Sequence, residues 1–401
     1  MKVCLVGATH FSHNPRLLRE ADSLAEKGHD VRVVTPSFMP DLAVRDARQL
    51  QARNWRHQKI DYLPFGFRGK ARSFLIRGRR RGAAELYKIF GGRRLAEYSY
   101  TAALPEQRRQ ALLEPADWFI AHAHAALPIA AAAARNWNTR LGFDCEDLLS
   151  ERQTDPREIV KAIERTYLSK CDYVSVPSKG IADYLQHEYG INPPVVLYNV
   201  FPLHLADGMS PPLHRTKRHN VRLLWFSQTI GGGRGIEDAV IACGMLGRDV
   251  ELHLRGHVAP GYERELTSLA TKENVNLTLH PQIDHDDLIR SMDQFDIGLA
   301  LEKPQNVGAA LTVSNKIGSY LLAGLAIAAS DTLGQQEVLG EQQTLSVLYP
   351  SGQPEILAQR LRPWIQNRDA LRISQQAAWD LAREKCCWDV EQTKFLEAIS
   401  C

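Results

Sequence analysis

Three groups of residues in the second half of the chain have the types and spacing to hold a diphosphate. Ser314-Asn315-Lys316 stand where a helical repeat begins, with Ile317 and Leu321 on one stripe and Gly324 placed as a left-handed stop before the apolar run Leu325 to Ala329. A helix there turns its free backbone N–H groups toward an anion, with the Lys316 ammonium beside them. A cation in the first turn is disfavoured by the helix dipole, so its position predicts a negative group nearby. Arg234 lies inside the glycine run Gly231 to Gly235, where a backbone without side chains can approach phosphate oxygens. Arg255-Gly256 repeats the pairing of cation and glycine just after the strand pattern Val250 to Leu254, and Glu302 opens the stretch that leads to Lys316.

The first half offers Gly7 to His13, including Thr9, then His122 to His124, then Asp144, Glu146 and Asp147. His122 and His124 alternate as a strand would place them, on one face. That arrangement suits a metal, but no third ligand lies within sequence reach, so no metal is expected. His124, taken as the end of the strand, is expected at the ligand as a hydrogen-bonding or polarising group, with a satisfied structural histidine as the alternative. There is no GxSxG elbow, no P-loop and no HExxH, which removes hydrolase, kinase and zinc-protease chemistry. Only Gly7 of a GxGxxG fingerprint follows the first strand, so nicotinamide binding of the usual kind is not expected.

These residues need elements that end at one place. Lys2 to Val6 reads as a strand, Asn14 as an N-cap with Pro15 at the first helical position, and Leu17, Leu18, Ala21, Leu24 and Ala25 as a helix face closed by Gly28. Val31 to Thr35 is the next strand, so the unit is βαβ and the sheet parallel. The alternation resumes at Trp118 to His122 and again from Val221 to Phe226. In an open parallel sheet, ligands gather beyond the carboxyl ends of the strands, where all the candidate residues fall. The fold class is therefore α/β. Residues 1–200 are expected as one Rossmann-like domain, with a basic excursion at 53–115. A Pro- and Gly-bearing linker at 201–219 leads to a second such domain at 220–378 and a C-terminal helix at 379–401 that crosses back.

With 401 residues, two domains are the natural expectation. The composition, 44% hydrophobic and 24% charged, is that of a soluble enzyme. The longest apolar runs, such as Ala125 to Ala134, are broken by Pro128 and fall short of the ~20 residues of a membrane span. Met1-Lys2-Val3 leads directly into a strand, so no export is expected and the cytoplasm is the predicted compartment. Cys4, Cys145, Cys171, Cys243, Cys386, Cys387 and Cys401 show no CxxC pair and read as reduced, mostly buried thiols.

The net charge of +3 is unevenly spread, the first half carrying the basic excess. From Arg68 to Arg94, Lys and Arg crowd around a single acid, Glu85, with Phe65, Phe67, Phe74, Leu75 and Ile76 interleaved. That pattern fits either a solvated helix or a surface that docks on anionic lipid headgroups at the inner face of a membrane. No nucleic-acid motif accompanies it, and nucleic acid is not an expected partner.

Several segments, in this order, resemble glycosyltransferase family 4. GATHFSHNPRLLREADSLAEKGHDVRVVT is similar to its first βαβ unit, and ADWFIAHAHAALP to its "aD-x-x-x-a-H" segment. LGFDCEDLLSE resembles "yDaHElfsE", GGGRGIEDAVIA resembles "gRGle-x-x-i-x-A", and SNKIGSYLLAGLAIAASD resembles "PNKLFEYmaaGlPviaSD". The resemblance implies a GT-B fold, two Rossmann-like domains whose parallel sheets face a central cleft. It implies a retaining, metal-independent transferase that takes a nucleotide-diphosphate sugar as donor, needs no separate cofactor, and serves a glycan or lipid-linked acceptor in cell-surface polysaccharide assembly.

By the same resemblance His124, Arg234 and Lys316 are catalytic. Gly7, Thr9, Gly233, Arg255, Gly256, Glu302, Ser314, Asn315 and Ser319 bind substrate or donor. The chain departs from the family where a glutamate usually precedes the glycine by five residues, here Ser319, and at Leu311 eight residues earlier. "DaHE" reads Asp144-Cys145-Glu146-Asp147, and Gln228 stands where many members carry a basic residue. A nucleotide-sugar 2-epimerase and a non-catalytic sugar-nucleotide-binding homologue are the alternative readings.

Overall fold

The computed structural model describes residues 1–152 and 155–400. The chain divides into two compact units, Met1–Leu197 together with the chain from Gln392 onward, and Tyr198–Glu391. Cys401 lies outside the described residues. The other six cysteines are free, and no helix among the described residues is long and apolar enough to cross a membrane.

The first unit is a seven-stranded sheet formed by β1 (Lys2–Gly7), β2 (Asp30–Ser37), β3 (Arg56–Asp61), β4 (Trp118–His122), β5 (Arg140–Asp144), β6 (Tyr173–Val176) and β7 (Val195–Val196). Their order is β3-β2-β1-β4-β5-β6-β7, and every pairing is parallel. The arginine-rich excursion therefore contributes edge strand β3 before it becomes the helix Gly66–Phe90. The helix Pro15–Glu26 starts as its sequence predicts: the Asn14 side chain accepts from the Leu17 N–H, and proline follows at the first position.

Gly7 is dictated by packing, since a Cβ there would stand 2.8 Å from both Leu17 Cδ1 and Thr35 Cγ2. One face of the sheet buries Val3, Leu5, Leu17, Ala21, Leu24 and Val33 with Phe395 and Ile399 of the last helix, Trp388–Ser400. The Trp118 indole donates to the Ile399 carbonyl at 2.9 Å, so this helix end is held by a buried polar bond as well as by area.

The second unit has six strands, β8 (Val221–Ile230), β9 (Val250–Val258), β10 (Asn276–His280), β11 (Ile297–Ala300), β12 (Ala326–Ser330) and β13 (Ser346–Tyr349). The order is β10-β9-β8-β11-β12-β13, again all parallel. Residues 201–219, read above as a linker, lie within this unit, where Phe201, Leu205 and Ala206 pack on Ile289 and Leu322. Chain direction reverses its march across each sheet at one place, between β1 and β4 in the first and between β8 and β11 in the second. These are the switch points where crossovers diverge and leave a crevice.

The helix Asn315–Ala323 is set onto β11 by the pair Gly298 and Tyr320. The ring of Tyr320 lies where a side chain on Gly298 would be, within 2.2 to 2.5 Å of that Cβ position, and its hydroxyl donates to the carbonyls of Leu224 at 3.0 Å and Leu299 at 3.1 Å. Gly298→Ala should displace the ring and cost about 1–3 kcal/mol or more in urea denaturation. A variant as stable as its parent would show that this packing does not fix the helix.

Candidate functional site

At the switch point of the second sheet, β8 runs into the turn Gly231 to Gly235 and β11 runs into Glu302. Gly233 and Gly235 both have φ of 74°, and a Cβ on Gly235 would stand 2.9 Å from Leu301 Cβ. Glycine is thus required here by conformation and by close approach to the neighbouring strand. Gly256 is required on both counts as well, with φ of 151° and a Cβ position 2.2 Å from the Ser227 carbonyl oxygen. Arg234 projects from the turn and donates to Ser227 Oγ at 2.9 Å. Arg255 is buried and donates to the Pro281 carbonyl at 3.1 Å.

The helix Asn315–Ala323 presents its N-terminus to the same edge. Ser314 occupies the N-cap position, but its hydroxyl makes no capping bond and donates instead to Glu302 Oε1 at 3.1 Å. Lys316 Nζ donates to the same oxygen at 2.8 Å and lies 5.4 Å from the centre of the buried Trp225 ring. The lysine is therefore not a surface residue, its side chain being only 12% exposed. The negative group that its position predicts is supplied by the chain, and it is Glu302. Burial pushes the Glu302 carboxyl up, but Lys316 outweighs it and holds the group below its usual range. Asn315 is exposed in the first turn, while Ser319 is fully buried and its hydroxyl has no hydrogen-bond partner among the described residues. The position where the family carries glutamate here points into the core.

The first sheet gathers a different set. Register aligns Gly7 with His122, His122 with Asp144, and Asp144 with Ser175 across four strand ends. Arg16, from the first turn of Pro15–Glu26, forks onto Asp144 with bonds of 2.8 and 2.5 Å and reaches the Leu197 carbonyl at 2.9 Å. Ser175 Oγ donates to the same carboxylate at 2.7 Å. One turn further along the helix, Glu20 Oε2 stands 3.2 Å from His122 Nε2, while His122 Nδ1 is 3.4 Å from Asp144 and 3.7 Å from Glu146. Asn14 donates to Glu146. Arg16, Glu20, His122 and Asp144 are all buried.

Two expectations need correcting here. The strand ends at His122, not His124, because Ala123 turns the chain with φ of 65°. The two rings consequently meet different partners: His124 is buried, its Nε2 bonded to Glu164 at 2.7 Å and its edge against Phe143. Counted from Asp117, the histidine of the "aD-x-x-x-a-H" pattern is His122. Second, the third ligand absent from the sequence neighbourhood is present in space, since donor atoms of Glu20, His122 and Asp144 all lie within 4.8 Å of one another. Two cations already share the site with these donors: Arg16 engages both oxygens of Asp144, and Arg19 is buried alongside. No motif pointed to Arg16 or Glu20. The available signal was their i, i+4 spacing on the helix that follows the first strand, which reads equally well as a solvent face.

A model of Glycosyltransferase Family 4 matches residues 16–204, the segment that holds Arg16, Glu20, His122, Asp144, Glu146 and Ser175. Over those residues the chain is similar to this glycosyltransferase family, and it has the GT-B fold. Among solved structures, the Anabaena protein HepE in complex with UDP and glucose superposes with a TM-score of 0.69 at 16% identity, covering 100% of this chain and 99% of that one. A glycosyltransferase from Rickettsia africae gives 0.68 at 15%, covering 99% and 97%. A sucrose-phosphate synthase from Thermosynechococcus elongatus gives 0.68 at 15%, covering 100% and 98%. No curated protein sequence matches significantly.

The buried cluster predicts a pH dependence of stability. Burial would strip the proton from His122, but Glu20 beside it, with Asp144 and Glu146, raises its pKa well above the usual imidazole range. A raised folded-state pKa gives stability that is complete below the unfolded value of about 6.5 and is lost as pH climbs through the folded one. His122→Gln should therefore cost about 3–5 kcal/mol near pH 6 and clearly less near pH 10, measured by urea denaturation at both. An equal cost at both would mean that the imidazole carries no charge.

Proposed function

We propose that the protein is a retaining, metal-independent glycosyltransferase that moves a sugar from a UDP-sugar to a glycan or lipid-linked acceptor, in cell-surface polysaccharide assembly at the inner face of a membrane. The observation that carries the reading is the pair of cations, Arg234 and Lys316, at the switch point of the second sheet. They stand beside glycine-lined backbone and the N-terminus of a helix packed on that sheet. The choice of uridine follows the UDP complex of HepE.

In this reading the diphosphate takes the position of the Glu302 carboxylate against Lys316. Glu302 holds the ammonium in place beforehand, so little side-chain entropy is lost when the donor arrives. Lys316 and Arg234 then stabilise the charge that grows on the leaving diphosphate as the sugar departs, which is the main catalytic demand when no metal does so. Gly233, Ser314 and Asn315 contribute backbone and hydroxyl donors to the phosphates, and Arg255-Gly256 border the nucleoside. In the first unit, Gly7 and Thr9 border the acceptor. Glu164 fixes Nε2 of His124, and Nδ1 has no hydrogen-bond partner among the described residues. His124 is assigned to the transferred sugar from its place just past the carboxyl end of β4, with Glu164 fixing its ring, while the histidine of the family pattern, His122, stays in the buried carboxylate cluster.

Product analysis with a panel of UDP-sugars tests the reading: freed UDP with a retained anomer on the acceptor or on water supports it, whereas an epimerised sugar or no turnover contradicts it. Lys316→Ala and Arg234→Ala should each lower kcat/KM by about 100-fold, the scale of one lost charge-assisted contact in a transition state. Unchanged kinetics would remove these residues from the site.

A further inference from the structure

The helix Gly66–Phe90 has no part in the site just described, and its outward face is unlike that of an ordinary solvated helix. Its inner face is fixed: Ser73, Ile76 and Ala83 are buried, Arg79 pairs with Glu106 at 2.6 Å and donates to the Ala102 carbonyl, and Tyr87 donates to the Glu158 carbonyl. The opposite face carries Phe67, Phe74 and Ile89, which are 89%, 77% and 73% exposed, with Leu75 and Phe90 on its flank. At 3.6 residues per turn, Phe67, Ala71, Phe74, Gly78, Gly82 and Ile89 fall on one stripe. Lys70, Arg77, Arg81 and Lys88 line one side of that stripe, and Arg68 and Arg72 the other.

Among the described residues no carboxylate pairs with Arg68, Lys70, Arg77 or Arg81, so these charges are not spent on the fold. The one acid in the stripe, Glu85, is neutralised by Lys88 at 2.8 Å. A row of bare aromatic and aliphatic side chains bordered by cations matches one environment, the boundary between anionic headgroups and acyl chains. Charge alone would fit any polyanion. The exposed Phe67 and Phe74 select a surface with an apolar layer beneath the charge.

We propose that this helix is a monotopic anchor lying in the plane of an anionic lipid surface, with Phe67, Phe74 and Ile89 inserted and the flanking lysines and arginines on the phosphates. It would hold the first unit at the membrane, and it gives the inner-face location of the proposed function a physical basis. The docking itself rests only on the helix.

The test is co-sedimentation of the full chain with vesicles of phosphatidylcholine alone and of phosphatidylcholine with phosphatidylglycerol, at low and high salt. The chain should pellet with the anionic vesicles at least about tenfold more strongly than with neutral ones, and salt should weaken the binding. Phe67→Ser with Phe74→Ser should lose about tenfold in binding at unchanged melting temperature, because neither ring supports the core. Arg77→Gln with Arg81→Gln should flatten the salt dependence. Failure of anionic vesicles to recruit the parent protein at low salt would overturn the proposal. So would undiminished binding by the double phenylalanine variant, or retention on heparin without recruitment to vesicles. Turnover of UDP-sugar in solution, measured on the same variants, separates the two readings: normal turnover without vesicle binding removes only the anchor, and vesicle binding without turnover removes only the enzyme.

Discussion

Every strand in both sheets runs parallel to its neighbours, and that one constraint governs where this chain can do chemistry. A parallel sheet gathers all its strand-to-helix turns on the carboxyl edge. The residues that follow Gly7, His122, Asp144 and Ser175 meet on one edge, and those that follow β8, β9, β11 and β12 meet on the other. The inner strands β1, β4, β11 and β12 are buried almost throughout and mainly apolar, so polar function collects at their carboxyl ends and in the turns beyond them.

The two edges solve the problem of charge in opposite ways. On the first sheet the charges are buried among one another: Arg16 is hydrogen-bonded to Asp144, and Glu20, Asp144 and Glu146 surround His122 at 3.2 to 3.7 Å. Such a network tolerates loss of a member badly, because each removal strands a charge away from water. It fixes the loops around it. On the second sheet Arg234 is exposed and Lys316 is bound by a partly exposed carboxylate, and in the proposed function both exchange their partners for an incoming anion. The proposed division of labour follows: a rigid edge that shapes the first unit's loops, and an exchangeable edge that takes the diphosphate.

Much of the fold was legible in the sequence because local signals agreed with it. The Asn14-Pro15 start, the apolar stripe ending at Gly28, and the recurring strand patterns from Val221 each name an element and its direction. What stayed hidden depended on distance or on backbone torsion. Edge strand β3 is polar on both faces and sits in an arginine-rich stretch, so alternation gave no sign of it. Glu302 and Lys316 are fourteen residues apart, and only the fold of the loop between them makes the ion pair. The positive φ of Ala123 separates His122 from His124, which a regular strand would have kept on one face. Arg16 and Glu20 look like solvent-facing charges until the helix is packed over strand ends that carry Asp144 and His122. Burial of Ser319 could not be read at all without the helix's rotation about its axis, set by Gly298 and Tyr320.

The central claim is that the switch point of the second sheet is a diphosphate site built on Arg234 and Lys316. Calorimetric titration of the chain with uridine, UMP and UDP tests it most directly, because the three ligands differ only in phosphate. The account predicts that each phosphate tightens binding by about tenfold or more, and that this preference collapses in Lys316→Ala and in Arg234→Ala while uridine binding stays the same. Equal affinities for the three ligands, or a phosphate preference that survives both substitutions, would contradict it.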